Sequence, residues 1–241
     1  MSETNIKITN GKILNYTITS NGYKTIRGSK LITTDTTINK NMILENDPNG
    51  VYSLGDRIGG MATFFCYYVD GSGNKYAVFA ADAKYRTTKQ WGIQNDSGLH
   101  SYDSSSYSNS FKTQEGCPES ATYNNNYIIN TYYPSGTTDN NFPAFKYCAD
   151  INIPSLGANG IARLPNPYEA IMMKINGSAL DSADPTVSSY SSYSFSNIGY
   201  MWTCYQYNTN AAWRCDSSTS FGYPSKPETL AVVPIFEIPV E

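Results

Sequence analysis

The chain holds one histidine, His100, set between Leu99 and Ser101 in a polar stretch. A Ser/His/Asp or Cys/His relay needs an imidazole to take and return the proton, so any such chemistry would have to run through His100. No Gly-x-Ser-x-Gly elbow accompanies it. The five cysteines, Cys66, Cys117, Cys148, Cys204 and Cys215, include no CxxC pair, and with a single histidine they offer no metal-binding spacing. Their odd number fits buried free thiols of a reducing compartment better than a disulfide framework. Four carboxylates, Glu115, Glu119, Asp139 and Asp150, fall in or beside a long polar stretch. Glycoside cleavage needs two carboxyl groups flanking one bond. No feature marks two of these as partners, and they read as solvated loop charges. The residues point to no catalytic group, no metal and no cofactor, so the expected class is a non-enzymatic recognition protein.

Hydrophobic residues make up 40% of the 241, enough for a core, whereas charged residues are only 15%. The surface must then be coated by Asn, Ser, Thr, Gly and many of the 21 tyrosines. Tyr supplies contact area at low entropy cost, and amides and hydroxyls adapt their hydrogen bonds to a partner. The net charge of −3 comes with no basic stripe, which argues against nucleic acid as a partner. Residues 1–48 carry six Lys/Arg against four Asp/Glu, and the remainder eleven against sixteen. No apolar run reaches the ~20 residues of a membrane-spanning helix. The opening Met1-Ser2-Glu3-Thr4-Asn5 has neither the basic nor the apolar part of a secretion signal, so synthesis and folding in a host cytoplasm are expected.

Residues 1–48 read as an extended, β-prone N-terminal arm. Ile6, Ile8, Tyr16 and Ile18 alternate, Asn10-Gly11 and Asn21-Gly22 are hairpin-turn signals, and Asp47-Pro48-Asn49-Gly50 marks a boundary. The arm has too few large apolar groups for a core of its own, so it should order by pairing with another chain or with the head, as an anchor. Residues 49–241 form the head. Ala62 to Val69 and Tyr76 to Ala81 make a hairpin around Asp70-Gly71-Ser72-Gly73-Asn74, and residues 94–141 make a long loop insertion. One helix is expected around Asn141–Ala149, with Phe142, Phe145 and Ala149 on one face. The second starts at Asn166-Pro167 with Glu169 completing a capping box, buries Ile171, Met172 and Ile175, and ends at Asn176-Gly177. Strands follow at Tyr200–Cys204, Ala211–Cys215 and Leu230–Ile238.

Several patches in order resemble one family, the C-type-lectin-like domain related to formylglycine-generating enzymes, as in phage tropism determinants and bacterial surface proteins. Leu54-Gly55-Asp56-Arg57-Ile58-Gly59-Gly60 resembles its opening, Gln90-Trp91-Gly92 its tryptophan after the first hairpin, and Ala144 to Cys148 its first helix. Arg163-Leu164-Pro165-Asn166-Pro167-Tyr168-Glu169 is similar to the lead-in of its second helix. Tyr200-Met201-Trp202-Thr203-Cys204-Tyr205-Gln206-Tyr207-Asn208 with Ala212-Trp213 resembles its Trp signature, and Val233-Pro234-Ile235-Phe236 its closing strand. Cys204 and Gln206 depart from the family's usual Ser and Glu. The resemblance covers about residues 51–238. It implies an α+β fold, mostly antiparallel β with two short helices.

The relatives' reactive cysteine pair has Cys204 and Cys215 as its nearest counterpart here, although two small apolar residues on neighbouring strands is the favoured reading. Calcium binding is not expected, since no Trp-Asn-Asp strand exists. In the related tropism determinants the ligand face lies on the final third, which by matching position points to Tyr205, Tyr207, Asn208, Asn210 and Arg214. Tyr190 and Tyr193 join them on composition. Trp91, Trp202 and Trp213 are assigned to the core. The resulting expectation is a virion surface protein of a bacterial virus, a head fibre or tail-fibre tip. It would be anchored to other virion proteins by its arm, homo-oligomeric with a trimer favoured, and would bind a host surface glycan or protein without inserting in the membrane. A purely structural capsid decoration, a bacterial adhesin and a carbohydrate hydrolase are the alternatives.

Overall fold

The computed structural model describes residues 12–18, 26–32, 52–70, 73–92, 98–114, 117, 121–133 and 141–240. In the arm, β1 (Lys12–Ile18) and β2 (Ile26–Ile32) pair antiparallel, with Tyr16 opposite Gly28. The connecting residues 19–25 contain Asn21-Gly22, whereas the expected Asn10-Gly11 turn and the Asp47–Gly50 boundary lie outside the described residues.

The head is α+β and mostly antiparallel. Its strands are β3 (Arg57–Ile58), β4 (Ala62–Val69), β5 (Lys75–Ala81), β6 (Thr87–Gln90), β7 (Tyr200–Asn208), β8 (Ala211–Asp216), β9 (Phe221–Gly222), β10 (Thr229–Val232) and β11 (Ile235–Val240). One sheet of the head runs β11-β5-β4-β3 and the other β6-β10-β7-β8-β9, in which β10 and β7 pair in parallel. The helices are α1 (Tyr107–Ser110), α2 (Ala121–Tyr132), α3 (Pro143–Ala149), α4 (Pro167–Ile175) and α5 (Gly177–Ala183). Among the described residues, no helix is long and apolar enough to cross a membrane.

The β4–β5 hairpin is buried on both faces. Ala77, Phe79 and Ala81 enter one hydrophobic cluster, while Val78 and Ala80 enter a second, the period of two expected of a strand. A bulge between Phe64 and Cys66 shifts β4, so Phe64 joins the first cluster and both Phe65 and Cys66 the second. The first cluster contains Trp91, Trp202 and Trp213, all fully buried. Their indole N–H groups donate to the backbone carbonyls of Thr203, Lys89 and Tyr102 at 2.7, 2.9 and 3.0 Å, so none of the three indole donors is stranded.

Helix α4 begins as its capping box predicts. Asn166 Oδ1 accepts from the Glu169 N–H at 2.8 Å, and Glu169 Oε2 accepts from the Asn166 N–H at 2.7 Å. Arg163 then donates to both oxygens of the buried Glu169 and to Glu237 on β11, tying the helix start to the last strand. This ion cluster sets the buried face as Glu169, Ala170, Ile171 and Met173. Met172 is half-buried, and Ile175, about 200° around the helix from Met173, is 63% exposed, which corrects the expected face. The helix does end at Asn176-Gly177 as expected, with Asn176 as its C-cap, and α5 starts directly after it at Gly177. The expected single strand over Leu230–Ile238 is instead two strands. It crosses from one sheet to the other at Val233-Pro234, where the Pro234 carbonyl accepts from the Ala81 N–H.

The largest departure is in residues 94–141, which include α1 and the three-turn α2. Two buried asparagines pin α2 down. Asn124 accepts from the His100 N–H at 3.0 Å and donates to the carbonyls of His100 and Cys204, both at 3.2 Å. Asn125 exchanges the same pair of bonds with Leu164, at 3.1 and 3.2 Å. Each amide side chain thus replaces the strand neighbour that these backbone groups lack. The segment entering α1 lies along β7, with a parallel bridge from Ser101 to Gln206 and the Tyr102 N–H donating to the Gln206 carbonyl at 2.9 Å.

Candidate functional site

The candidate face is built on β7, β8 and β9. Pairing of β7 with β8 is irregular between Trp202 and Gln206, and the slip sends both Cys204 and Tyr205 into the core. Tyr205 is fully buried, stacked on Tyr102 at 4.3 Å and edge-on to Phe111 at 5.4 Å. Burial pushes its phenol well above the usual tyrosine range. The expected ligand role of Tyr205 is therefore replaced by a packing role.

Past the slip, Tyr207 reaches the surface. Its ring stacks on Tyr223, just beyond β9, at 3.9 Å and 7°. Both rings stand edge-on to the buried Trp213 of β8, at 5.3 and 5.2 Å, which fixes the orientation of the pair. Tyr223 keeps 43% of its surface exposed. Partial burial and then the neighbouring Tyr223 push the Tyr207 phenol above its ordinary range. Asn208 closes the β7–β8 turn by accepting from the Asn210 and Ala211 N–H groups at 2.9 and 3.0 Å, and Asn210 is exposed.

The other expected residues sit apart from the stack. The Arg214 guanidinium lies 3.9 Å over the Tyr200 ring, and Gly222 is opposite it in register. A Cβ on Gly222 would come within 3.3 Å of Arg214 Nε, so the glycine leaves room for the arginine. Tyr190 is exposed but belongs to the 3-10 segment after α5. The Tyr193 carbonyl there accepts from Arg86 at 2.7 Å, so this loop is moored to residues 83–86. Of the seven expected residues, Tyr207, Asn208 and Asn210 share one surface, Arg214 occupies a neighbouring strand position, and Tyr190 and Tyr193 lie on another loop. Tyr223 completes the stack and was not among them. The run Phe221-Gly222-Tyr223-Pro224 after β8 was the available signal, since a third strand brings its aromatic residues alongside Trp213.

Beneath the stack, the fully buried Lys226 donates to Gln206 Oε1 and holds its Nζ 4.9 Å from the Trp91 ring. Gln206 in turn donates to Ser101 Oγ at 2.7 Å. An amide serves both neighbours here, accepting from one and donating to the other, which a carboxylate could not do while ionised.

All five thiols are buried and free. Cys204 and Cys215 belong to different core clusters rather than facing each other. Burial pushes the Cys117 and Cys215 thiols up to about 12 and raises Cys66, Cys148 and Cys204 as well, so thiolate character is suppressed. His100 is exposed and stacked on Tyr123 at 4.0 Å, with its backbone held by Asn124. Asp150 pairs with Lys146, and Glu115, Glu119 and Asp139 lie outside the described residues. Among the described residues, no group of three or more His, Cys, Asp or Glu side chains is placed to hold a metal ion. In comparisons with known proteins, no protein family, curated protein or solved structure matches the chain.

Proposed function

We propose that this chain is a virion surface protein of a bacterial virus, a head fibre or tail-fibre tip, whose lectin-like head binds a glycan or protein on the host cell. The observation that carries the reading is the Tyr207–Tyr223 stack. It remains open to solvent beside the Asn208–Asn210 turn, while Trp202, Tyr205 and Trp213 on the same strands are buried. Oriented, half-exposed aromatic rings with neighbouring amides are the usual substance of a recognition surface. The lectin-like assignment draws support from the mostly antiparallel sheets and from β11 returning beside the β4–β5 hairpin. A two-stranded hairpin is marginal alone in water, so β1–β2 is read as the part that docks on other virion proteins and gathers copies into a trimer. Several weak sites on one particle then act together.

The test is adherence of the labelled full-length chain to a panel of bacterial strains, with antibody labelling of particles. Saturable adherence to some strains, competed by their soluble surface material, supports the reading. Labelling of particles with adherence to none would identify a capsid decoration without a ligand instead.

A further inference from the structure

Lys226 is a buried nucleophile that the recognition face does not use. Lysine is almost never fully buried without a committed partner, and here the whole side chain is enclosed. Its backbone is held on both sides. The Lys226 N–H donates to the Asn210 carbonyl, and the Lys226 carbonyl accepts from the Trp91 N–H, each at 3.0 Å. The Trp91 ring walls the Nζ group at 4.9 Å. What Nζ meets is the carboxamide of Gln206, itself fully buried, and it donates to Oε1, one bond from the amide carbon Cδ. On the far side of that amide, Nε2 donates to Oγ of the exposed Ser101 at 2.7 Å. An amine, an acyl carbon and a leaving nitrogen with a way out to solvent therefore stand in sequence. Two groups that packing holds together react as one molecule rather than two.

We propose that Lys226 and Gln206 are a modification site, joined by an ε-(γ-glutamyl)lysine isopeptide bond that forms in the folded chain. The Lys226 ammonium passes its hydrogen-bonded proton to Oε1, which frees the Nζ lone pair and polarises the carbonyl. Nζ then bonds to Cδ, and the Cδ–Nε2 bond breaks as the carbonyl re-forms. Nε2 departs past the Ser101 hydroxyl as ammonium, carrying both protons that Nζ has shed. One amide replaces another and one ammonium replaces another, so no oxidant or co-reactant is required. The bond closes a covalent ring over residues 206–226, which holds β8 and β9. Tyr207 and Tyr223 both lie within it, so the strands that carry the stack are tied from beneath. This inference does not depend on what the face binds.

Intact mass spectrometry of the denatured full-length chain is the test. The expected mass is about 17 Da, one ammonia, below the sequence value. Trypsin cuts after Lys174 and Arg214 but not before Pro227, so Gln206 and Lys226 belong to separate peptides, 175–214 and 215–241. They should emerge as one branched species whose fragments place the link at Gln206 and Lys226. Lys226→Met should restore its own full sequence mass, a readout that holds whatever the stability of the variant. Cyclisation at an Asn-Gly pair also releases one ammonia. A deficit that survives Lys226→Met, or that maps to Asn159-Gly160 or Asn176-Gly177, would therefore overturn the proposal. A parent chain at full sequence mass, or the two peptides appearing only apart, would overturn it equally.

Discussion

Replacing Asn124 by Ala is the sharpest probe of how residues 98–133 are joined to the head. The side chain is fully buried and makes three hydrogen bonds, two to His100 and one to the Cys204 carbonyl. At a net of about 1 kcal/mol each, their loss costs about 3 kcal/mol, and backbone groups left dry would add to it. A gain of a few tenths from better helix propensity offsets little of this. For a domain of this size, about 3 kcal/mol lowers the melting temperature by about 6–12 °C. The control is Asn126→Ala, which makes the same propensity change at an exposed position of α2. Urea denaturation followed by circular dichroism should show a lower midpoint with an unchanged slope for Asn124→Ala, and Asn126→Ala should stay within about 0.5 kcal/mol of the parent. If the two variants unfold at the same midpoint, the amide is not what docks α2 and the account of this segment is wrong.

Three further outcomes follow from the same structure. At pH 8 the folded chain should show no fast reaction with Ellman's reagent, because burial holds the thiols protonated, while the denatured chain should release the signal of five; a rapidly titrating native thiol would contradict the packing described. Arg163→Met should cost about 3–5 kcal/mol, since it strands the buried Glu169 and removes the tie to Glu237, and a loss under about 1 kcal/mol would show that the cluster does not hold α4 to β11. Burial raises the Asp216 carboxyl, but hydrogen bonds from Ser218 and Ser220 outweigh it and hold the group below its ordinary 3.8. Its contribution is present above that value and fades as pH falls through the lowered one, so Asp216→Ala should lose stability at neutral pH and converge on the parent under strong acid. A constant difference at every pH would count against this.

The parts legible in the sequence are those whose cause is local. The β4–β5 hairpin follows from an apolar run closed by Asp70-Gly71, and the start of α4 from Asn166, Pro167 and Glu169. Helix α2 was not legible, because Tyr123-Asn124-Asn125-Asn126 reads as polar loop. Its asparagines are buried only because His100, Cys204 and Leu164, distant in sequence, offer backbone partners. Tyr205 was expected on the ligand face by matching position to the resembled family, and the slip of β7 against β8 turns it into the core instead. Tyr223 escaped notice for the same reason as α2, since its proximity to Tyr207 comes from tertiary packing around Trp213.

Hydrogen–deuterium exchange of the full-length chain, with and without surface glycan from a strain it adheres to, tests the recognition face most directly. New protection should fall on residues 102–104, 207–213 and 221–225, with the moored loop at 186–196 unchanged. Protection confined to that loop or to residues 12–32, or none at saturating glycan, would contradict the assignment of the Tyr207–Tyr223 surface as the part that meets the host.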